Sequence, residues 1–429
     1  MNARFDCSRI LGTCLRVWPG ILCVAVLAIP LATRAASPGL TLPEAIHQAD
    51  ARAPMLKARH AGVSAAQEEA ARAGALPDPM LVVGIDNLPV TGRNAFDTRI
   101  DDMTMKKIGV RQEIPSRAKR DAQRAFADRR IDEARALSEA ERLAIRRATA
   151  EAWIAVWIAE HQLHALQGLR DQAALTVRLA KARVSAGGSV SDALAANAAM
   201  LEVDNRIEAA RAAKTSAQAG LARWVGDAAP EVSMTTPDFG SLPVAASQLL
   251  ASVDRTGALL PASAQVETAA AATDVARAEK HSDWSLAASY GQRSGHRSDM
   301  IMFEVGIGLP LFTRNRQDRG VSAREADYQS ALATREDLRL AQSAQIRADL
   351  ARWEGLKRQV ALHEQSMLPL AHDRSATALA AYRAGGDLQP WLTARRDELD
   401  LHLAHAEHLG ELGRAWAALA FLLPTEGQP

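Results

Sequence analysis

Cysteine is almost missing from this 429-residue chain. The three present, Cys7, Cys14 and Cys23, crowd its beginning, so nothing downstream can build a disulfide or a thiolate metal site. Aromatic residues make up only 4%. Charge of one sign is lacking too. With 51 Lys and Arg against 50 Asp and Glu, the formal net charge is +1, which argues against a nucleic-acid binder. After Ala36 no apolar run approaches the ~20 residues of a spanning helix, so any membrane crossing must use strands. No GxSxG elbow, HExxH pair or phosphate-binding loop occurs. No catalytic residue and no cofactor is therefore expected.

The first 36 residues read as a secretory signal. Arg4, Arg9 and Arg16 precede a short apolar stretch at 20–31, and "TRAAS" offers cleavage after Ala35 or Ala36. The residues before the cysteines do not suit lipidation.

Beyond that point two compositions alternate. Tracts rich in Ala, Arg, Glu and Leu, all strong helix formers, fill most of the chain. Between them lie two islands of strand chemistry at 80–114 and 284–312. In the second, Trp284, Leu286, Ala288 and Tyr290 alternate with small or polar residues. After a polar loop, Ile301, Phe303, Val305, Ile307 and Leu309 do the same. The first island is rougher, with Leu81, Val83 and Ile85 answered by Ile108 and Val110. Each island reads as a hairpin. Four strands neither close a barrel nor make a sandwich. Their partners must come from other copies of the chain, two copies giving eight strands and three giving twelve.

Each island ends at a proline, Pro115 or Pro310, and hands over to a long helical tract. From about Ser116 to Ala186 there is no proline and Gly168 is the only glycine, so the helix would reach roughly 105 Å. Ile154, Trp157, Ile158, Leu166 and Leu169 mark its apolar face. "RVSAGGSVSD" then turns the chain back through Leu194 and Leu201. The second tract, from about Thr313, turns at "YRAGGDLQPW" and returns through Leu392 and Leu399, with a kink or break expected at Pro369. The chain thus reads as a duplication with repeats at 37–235 and 236–429, and residues 226–245 as a Pro/Gly/Thr-rich connector.

On these features the chain resembles the TolC-like outer-membrane efflux proteins. The carriers are the duplicated helix–hairpin–helix–turn–helix order and the turns "RVSAGGSVSDAL" and "YRAGGDLQPWLTARR". The resemblance implies a mainly α fold with a pair of β-hairpins. Three chains would form a twelve-stranded outer-membrane barrel above a twelve-helix periplasmic tunnel. "ALPDPMLVVGIDNLPVTGRNAF" and "MTMKKIGVRQEIPSRAKR" look like the branch serving cobalt–zinc–cadmium and copper–silver exporters. The implied function is a passive conduit for heavy-metal cations, working with a periplasmic adaptor and an inner-membrane RND pump. Multidrug efflux or type I secretion would use nearly the same channel. A periplasmic adaptor or scaffold is the remaining alternative, although adaptors normally carry one helical hairpin.

The resemblance also places candidate residues. Arg183, Ala186, Gly187 and Gly188, with Arg383, Ala384, Gly385 and Gly386, would form the tip that meets the adaptor. Gly188 stands where the family commonly has a larger apolar residue. Asp192, Asp387, Arg395 and Arg396 could hold the aperture closed, and a solvated helix face explains them equally well. By strand parity Glu304 faces the barrel lumen, while Trp284 and Tyr290 suit a membrane interface. His402, His405 and His408 recur every three residues, but the row drifts around the helix by about 120°, which opposes one compact metal site. A polar stripe is the preferred reading, and no metal is assigned.

Overall fold

The computed structural model describes residues 39–294 and 297–424. The expected signal segment and all three cysteines lie outside the described residues. Helices α1 (Leu42–Arg52) and α2 (Pro54–Arg72) lead to strands β1 (Met80–Asp86) and β2 (Met105–Ile114). Helix α3 (Arg117–Ser185) follows, and α4 (Val190–Val225) returns. The order then recurs: α5 (Ala246–Ala251), α6 (Leu259–Ala278), β3 (Trp284–Arg293), β4 (Met300–Ile307), α7 (Gln317–Leu362), α8 (Leu368–Arg383) and α9 (Gln389–Ala420).

Helix α3 is 69 residues long, about 100 Å at the usual rise. It starts where the sequence says it should: Pro115 cannot continue the ladder, and the Ser116 hydroxyl accepts a hydrogen bond from the Lys119 N–H at 3.3 Å. Every residue of the expected apolar face, Ile154, Trp157, Ile158, Leu166 and Leu169, is buried. The core is a narrow stripe along this helix. Its largest part gathers Trp153, Trp157, Phe239, Trp353 and Leu412. A smaller one joins Leu166 and Leu169 to Ile207 and Leu399, and a third, near the turns, joins Val177 and Ala180 to Tyr382 and Trp391.

The connector after α4 is part of that core. Val232 and Phe239 are buried, Leu40 bridges to Val232, and three indole N–H groups donate to main-chain carbonyls at this level. Trp353 reaches Phe239 at 2.9 Å, Trp416 reaches Ser241 at 2.7 Å and Trp153 reaches Leu40 at 2.8 Å. The segment straps α3, α7 and α9 together.

All four strands form one antiparallel sheet in the order β1-β2-β3-β4. The hairpins therefore join through β2 and β3, with Ile108 opposite Tyr290 and Val110 opposite Ala288. Both outer edges lack a strand partner among the described residues. Where strands hand over to helices, Asp283 accepts from the Ser116 N–H at 2.9 Å and pairs with Lys119 at 2.5 Å, tying β3 to the start of α3. Burial and these two bonds pull its carboxyl in opposite directions, and the bonds win, holding its pKa below the usual value.

At Pro369 the chain neither stops nor breaks into separate helices. A five-residue π turn, His363–Met367, links α7 to α8. Proline has no N–H to give, and its ring crowds the carbonyl four residues back, at Gln365. Widening the turn there relieves both problems. The second tract also starts late. A 3-10 turn at Thr313–Asn315 precedes α7, which begins at Gln317.

Candidate functional site

Three places gather the candidate residues: the two glycine turns, the histidine stripe on α9, and the faces of the sheet. The turns share one device. At the first, Gly187 has φ +89°, its N–H donates to Val184 O at 3.0 Å, and the Gly188 N–H reaches Arg183 O at 2.8 Å. At the second, Gly385 has φ +106°, with Gly385 N–H to Tyr382 O at 3.1 Å and Gly386 N–H to Ala381 O at 3.0 Å. A left-handed glycine cap closes both helices and satisfies their last carbonyls. Added β-carbons at Gly188 and Gly386 would lie 2.9 Å from Arg183 O and 3.0 Å from Ala381 O. Gly188 is therefore required by the chain's own geometry, whatever else meets it.

Arg183 joins the two turns. Its guanidinium sits 3.9 Å from the Tyr382 ring centroid and donates to the carbonyls of Tyr382 and Gly386. Tyr382 in turn stacks on Trp391, with centroids 6.0 Å apart. Ala186, Gly187, Gly188, Arg383, Ala384, Gly385 and Gly386 stay exposed. Loss of the Arg183 contacts should cost about 1–2 kcal/mol, or roughly ten-fold in local opening. Arg183→Ala is thus expected to raise chymotrypsin cleavage at Tyr382 by about ten-fold. An unchanged cleavage rate would show that the contact holds nothing together.

The aperture candidates separate into two kinds. Asp192 and Asp387, from different hairpins, line one shallow depression with Arg374 and Gln389. Arg396 lies 4.0 Å from Asp400, a loose exposed pair. Arg395 is committed elsewhere: it pairs with Glu398 at 2.6 Å and donates to Gln172 on α3. Sequence reading missed Glu398, which is 2% exposed. Burial pushes its carboxyl up, but bonds from Ser375, Arg395 and His372 outweigh that and hold its pKa below the usual value. Through it α8, α9 and α3 are cross-linked just above the turns.

The histidine triplet does not form one group. His405 and His408 face His363 of the π turn, with ring centroids 6.0 and 4.8 Å apart. His402 is exposed on α9, on the side of Glu398. Burial lowers the pKa of His363 and of His405, although Glu364, 3.7 Å from the His405 ring, works against it there. No cluster of three or more metal-capable side chains occurs among the described residues. His363 could not have been found from spacing, because the π turn is what swings it towards α9.

The sheet divides cleanly. Leu81, Val110, Ala288 and Phe303 lie side by side on one face, followed by Val83, Ile108, Tyr290 and Ile301. All eight are exposed, Phe303 to 81%. Trp284 shares that face, opposite Ile114 and Ile307. On the other face are Gly84, Gly109, Ala287, Ser289, Gly291 and Gly306, among a few charged side chains. Glu304 belongs to this second face, 3.7 Å from Arg111. The loops of both hairpins share one end, since Arg297 pairs with Asp102 at 2.9 Å and the Ser294 hydroxyl donates to Thr98 O at 2.6 Å.

Among the described residues no helix is long and apolar enough to cross a membrane. One face of the sheet is instead a continuous exposed apolar surface. Residues 45–227 match the family model described as outer membrane efflux protein. A cobalt-zinc-cadmium resistance protein, CzcC of Cupriavidus metallidurans, is 28% identical over 309 residues, covering 70% of this chain and 72% of its own. A membrane protein from Pseudomonas aeruginosa shares the fold at TM-score 0.75 and 18% identity, covering 89% of this chain and 91% of that one. VceC, an outer membrane protein of Vibrio cholerae, does so at 0.71 and 20%, with 89% and 96% covered. The structure of CusC, which concerns transmembrane channel formation, matches at 0.73 and 15%, with 89% and 92% covered. With its exposed apolar sheet face, its paired long hairpins and the family match over the first of them, this chain is similar to the outer membrane efflux proteins and shares the fold of their solved structures.

Proposed function

We propose that three copies of this chain close a twelve-stranded barrel in the outer membrane and extend their helices into the periplasm as a tunnel. The observation that carries this reading is the four-stranded sheet with two open edges and an exposed apolar face. Unpaired edges and that face are costly in water, and closure in lipid removes both costs. The repeats are the hairpin pairs at 37–235 and 236–429. Outer membrane efflux proteins are channels rather than enzymes, and the chain's function is passage, with no chemical step.

The channel is the outer component of a tripartite RND-type system for heavy-metal cations. Likeness to a cobalt-zinc-cadmium resistance protein over 70% of the chain supports that cargo. The turn residues Arg183, Ala186, Gly187 and Gly188, with Arg383, Ala384, Gly385 and Gly386, meet the adaptor, and all of them but the half-buried Arg183 are exposed. Asp192, Asp387 and Arg396 act at the aperture, with Arg395 bracing α9 against α3 behind it. A strain lacking the gene is expected to become sensitive to cobalt, zinc, cadmium, copper or silver, and not to a panel of organic toxicants. Sensitivity confined to the organic panel would overturn the metal cargo and leave the channel standing.

A further inference from the structure

The small-residue face of the sheet carries six charges, three of each sign: Asp86, Lys107, Arg111, Glu113, Arg293 and Glu304. Two pairs of them interlock. Arg111 and Glu304 flank Ala287 in one cross-strand row and meet above it at 3.7 Å. Lys107 and Asp86 meet at 3.4 Å. Around them stand Val82 and four methionines, Met80, Met105, Met300 and Met302, among smaller residues. Gly84, Gly109, Ser289 and Gly291 give no bulk, and an added β-carbon at Gly109 would lie 2.6 Å from the Ser289 β-carbon. Within their rows small residues flank the charges, Gly84 and Gly291 beside Lys107 and Ala287 between Arg111 and Glu304. A face meant only to be wet needs polarity, not opposite charges matched across strands.

Resting on the conduit reading, we propose that Arg111 and Glu304, with Lys107 and Asp86, set the charge selectivity of the barrel by cancelling one another. In three copies each pair becomes a ring of alternating sign. The lumen then neither attracts nor repels an ion by its sign, so a cation passes without being held. A ring of unmatched carboxylates would concentrate cations at the wall, and a ring of unmatched guanidinium groups would exclude them. Choice among cargoes is thereby left to whatever loads the tunnel.

Arg111 and Glu304 are both largely solvent-exposed side chains, and such a pair contributes at most about 1 kcal/mol, so neutral substitutions there leave the fold intact. The test is the reversal potential of the purified oligomer in a planar bilayer of uncharged lipid under a potassium chloride gradient. The unaltered protein should favour potassium over chloride, or the reverse, by less than about two-fold. Arg111→Gln should shift the ratio towards potassium, and Glu304→Gln towards chloride, each by about three-fold or more. The double variant should return to the starting ratio. Both single shifts should shrink at 1 M salt, where screening acts within about 3 Å. A merely structural pair would give neither the opposite signs nor the return. Single variants identical to the parent, or a parent already strongly selective, would overturn the proposal while leaving the conduit in place. Failure of the purified protein to insert into a bilayer as an oligomer would instead overturn the conduit reading.

Discussion

Phe303→Arg is expected to abolish assembly of the protein in the outer membrane, while Met302→Arg, one residue away, is expected to be tolerated. Phe303 lies in the exposed row with Leu81, Val110 and Ala288, whereas Met302 lies in the opposite row with Gly109 and Ser289. An arginine on the lipid face of a barrel costs about 2–4 kcal/mol near the bilayer midplane, and less near its surfaces. Three copies multiply this to roughly 6–12 kcal/mol per trimer, comparable with the whole stability of a typical domain. On the lumen face the same guanidinium keeps its water. The measurement is the amount of each variant recovered as oligomer in the outer-membrane fraction. Equal recovery of the two would remove the physical basis for placing this sheet in lipid. Reversed recovery would mean that the faces are exchanged.

That pair of neighbours also shows why so much of the fold was legible. Period-2 patterning states which residues share a face, and the structure puts Trp284, Leu286, Ala288 and Tyr290 on one side as expected. The absence of helix breakers between Ser116 and Ala186 was an equally direct statement about α3. Glycine at a helix end predicts a left-handed cap, and Gly187 and Gly385 both have it. These are local rules, and they work where neighbours along the chain decide the outcome.

What sequence reading missed depends on elements far apart in the chain. Alternation gives the face of a strand but not its neighbour, so the β2–β3 pairing between the two islands had no signature. Glu398 sits in a helix full of Glu, Asp and Arg, where a buried carboxylate looks like any solvated one. Only Arg395, His372 and Ser375 converging on it mark the difference. The stripe of His402, His405 and His408 was visible, but the ring it packs against belongs to a π turn forced by Pro369. Residues 226–245 read as a connector because their composition is that of a loop. Their role in the core runs largely through main-chain carbonyls that accept from Trp353 and Trp416. A carbonyl is common to every residue and leaves no trace in a sequence.

Those indole bonds lead to the second large effect. Trp153→Ala is expected to cost about 3–5 kcal/mol, from the lost burial of a whole indole and the cavity left behind. Trp153 is 1% exposed and stacks 6.5 Å from Trp157, so the surrounding helices cannot easily close the gap. The substitution also strands the Leu40 carbonyl that the indole N–H now satisfies at 2.8 Å. Trp153→Phe keeps most of the volume and loses only that bond, so about 1–2 kcal/mol is expected. The unfolding midpoint of the purified protein in guanidinium separates the two. An alanine variant within about 1 kcal/mol of the parent would show that this level is not the core of the chain. The consequence reaches function because α3, α7 and α9 are anchored to their neighbours here and run on to the turns. If the tip opens by helices tilting, this belt is the fixed point they tilt about. Trp153→Phe should then loosen the belt first, and the turns should open more readily although no residue near them has changed.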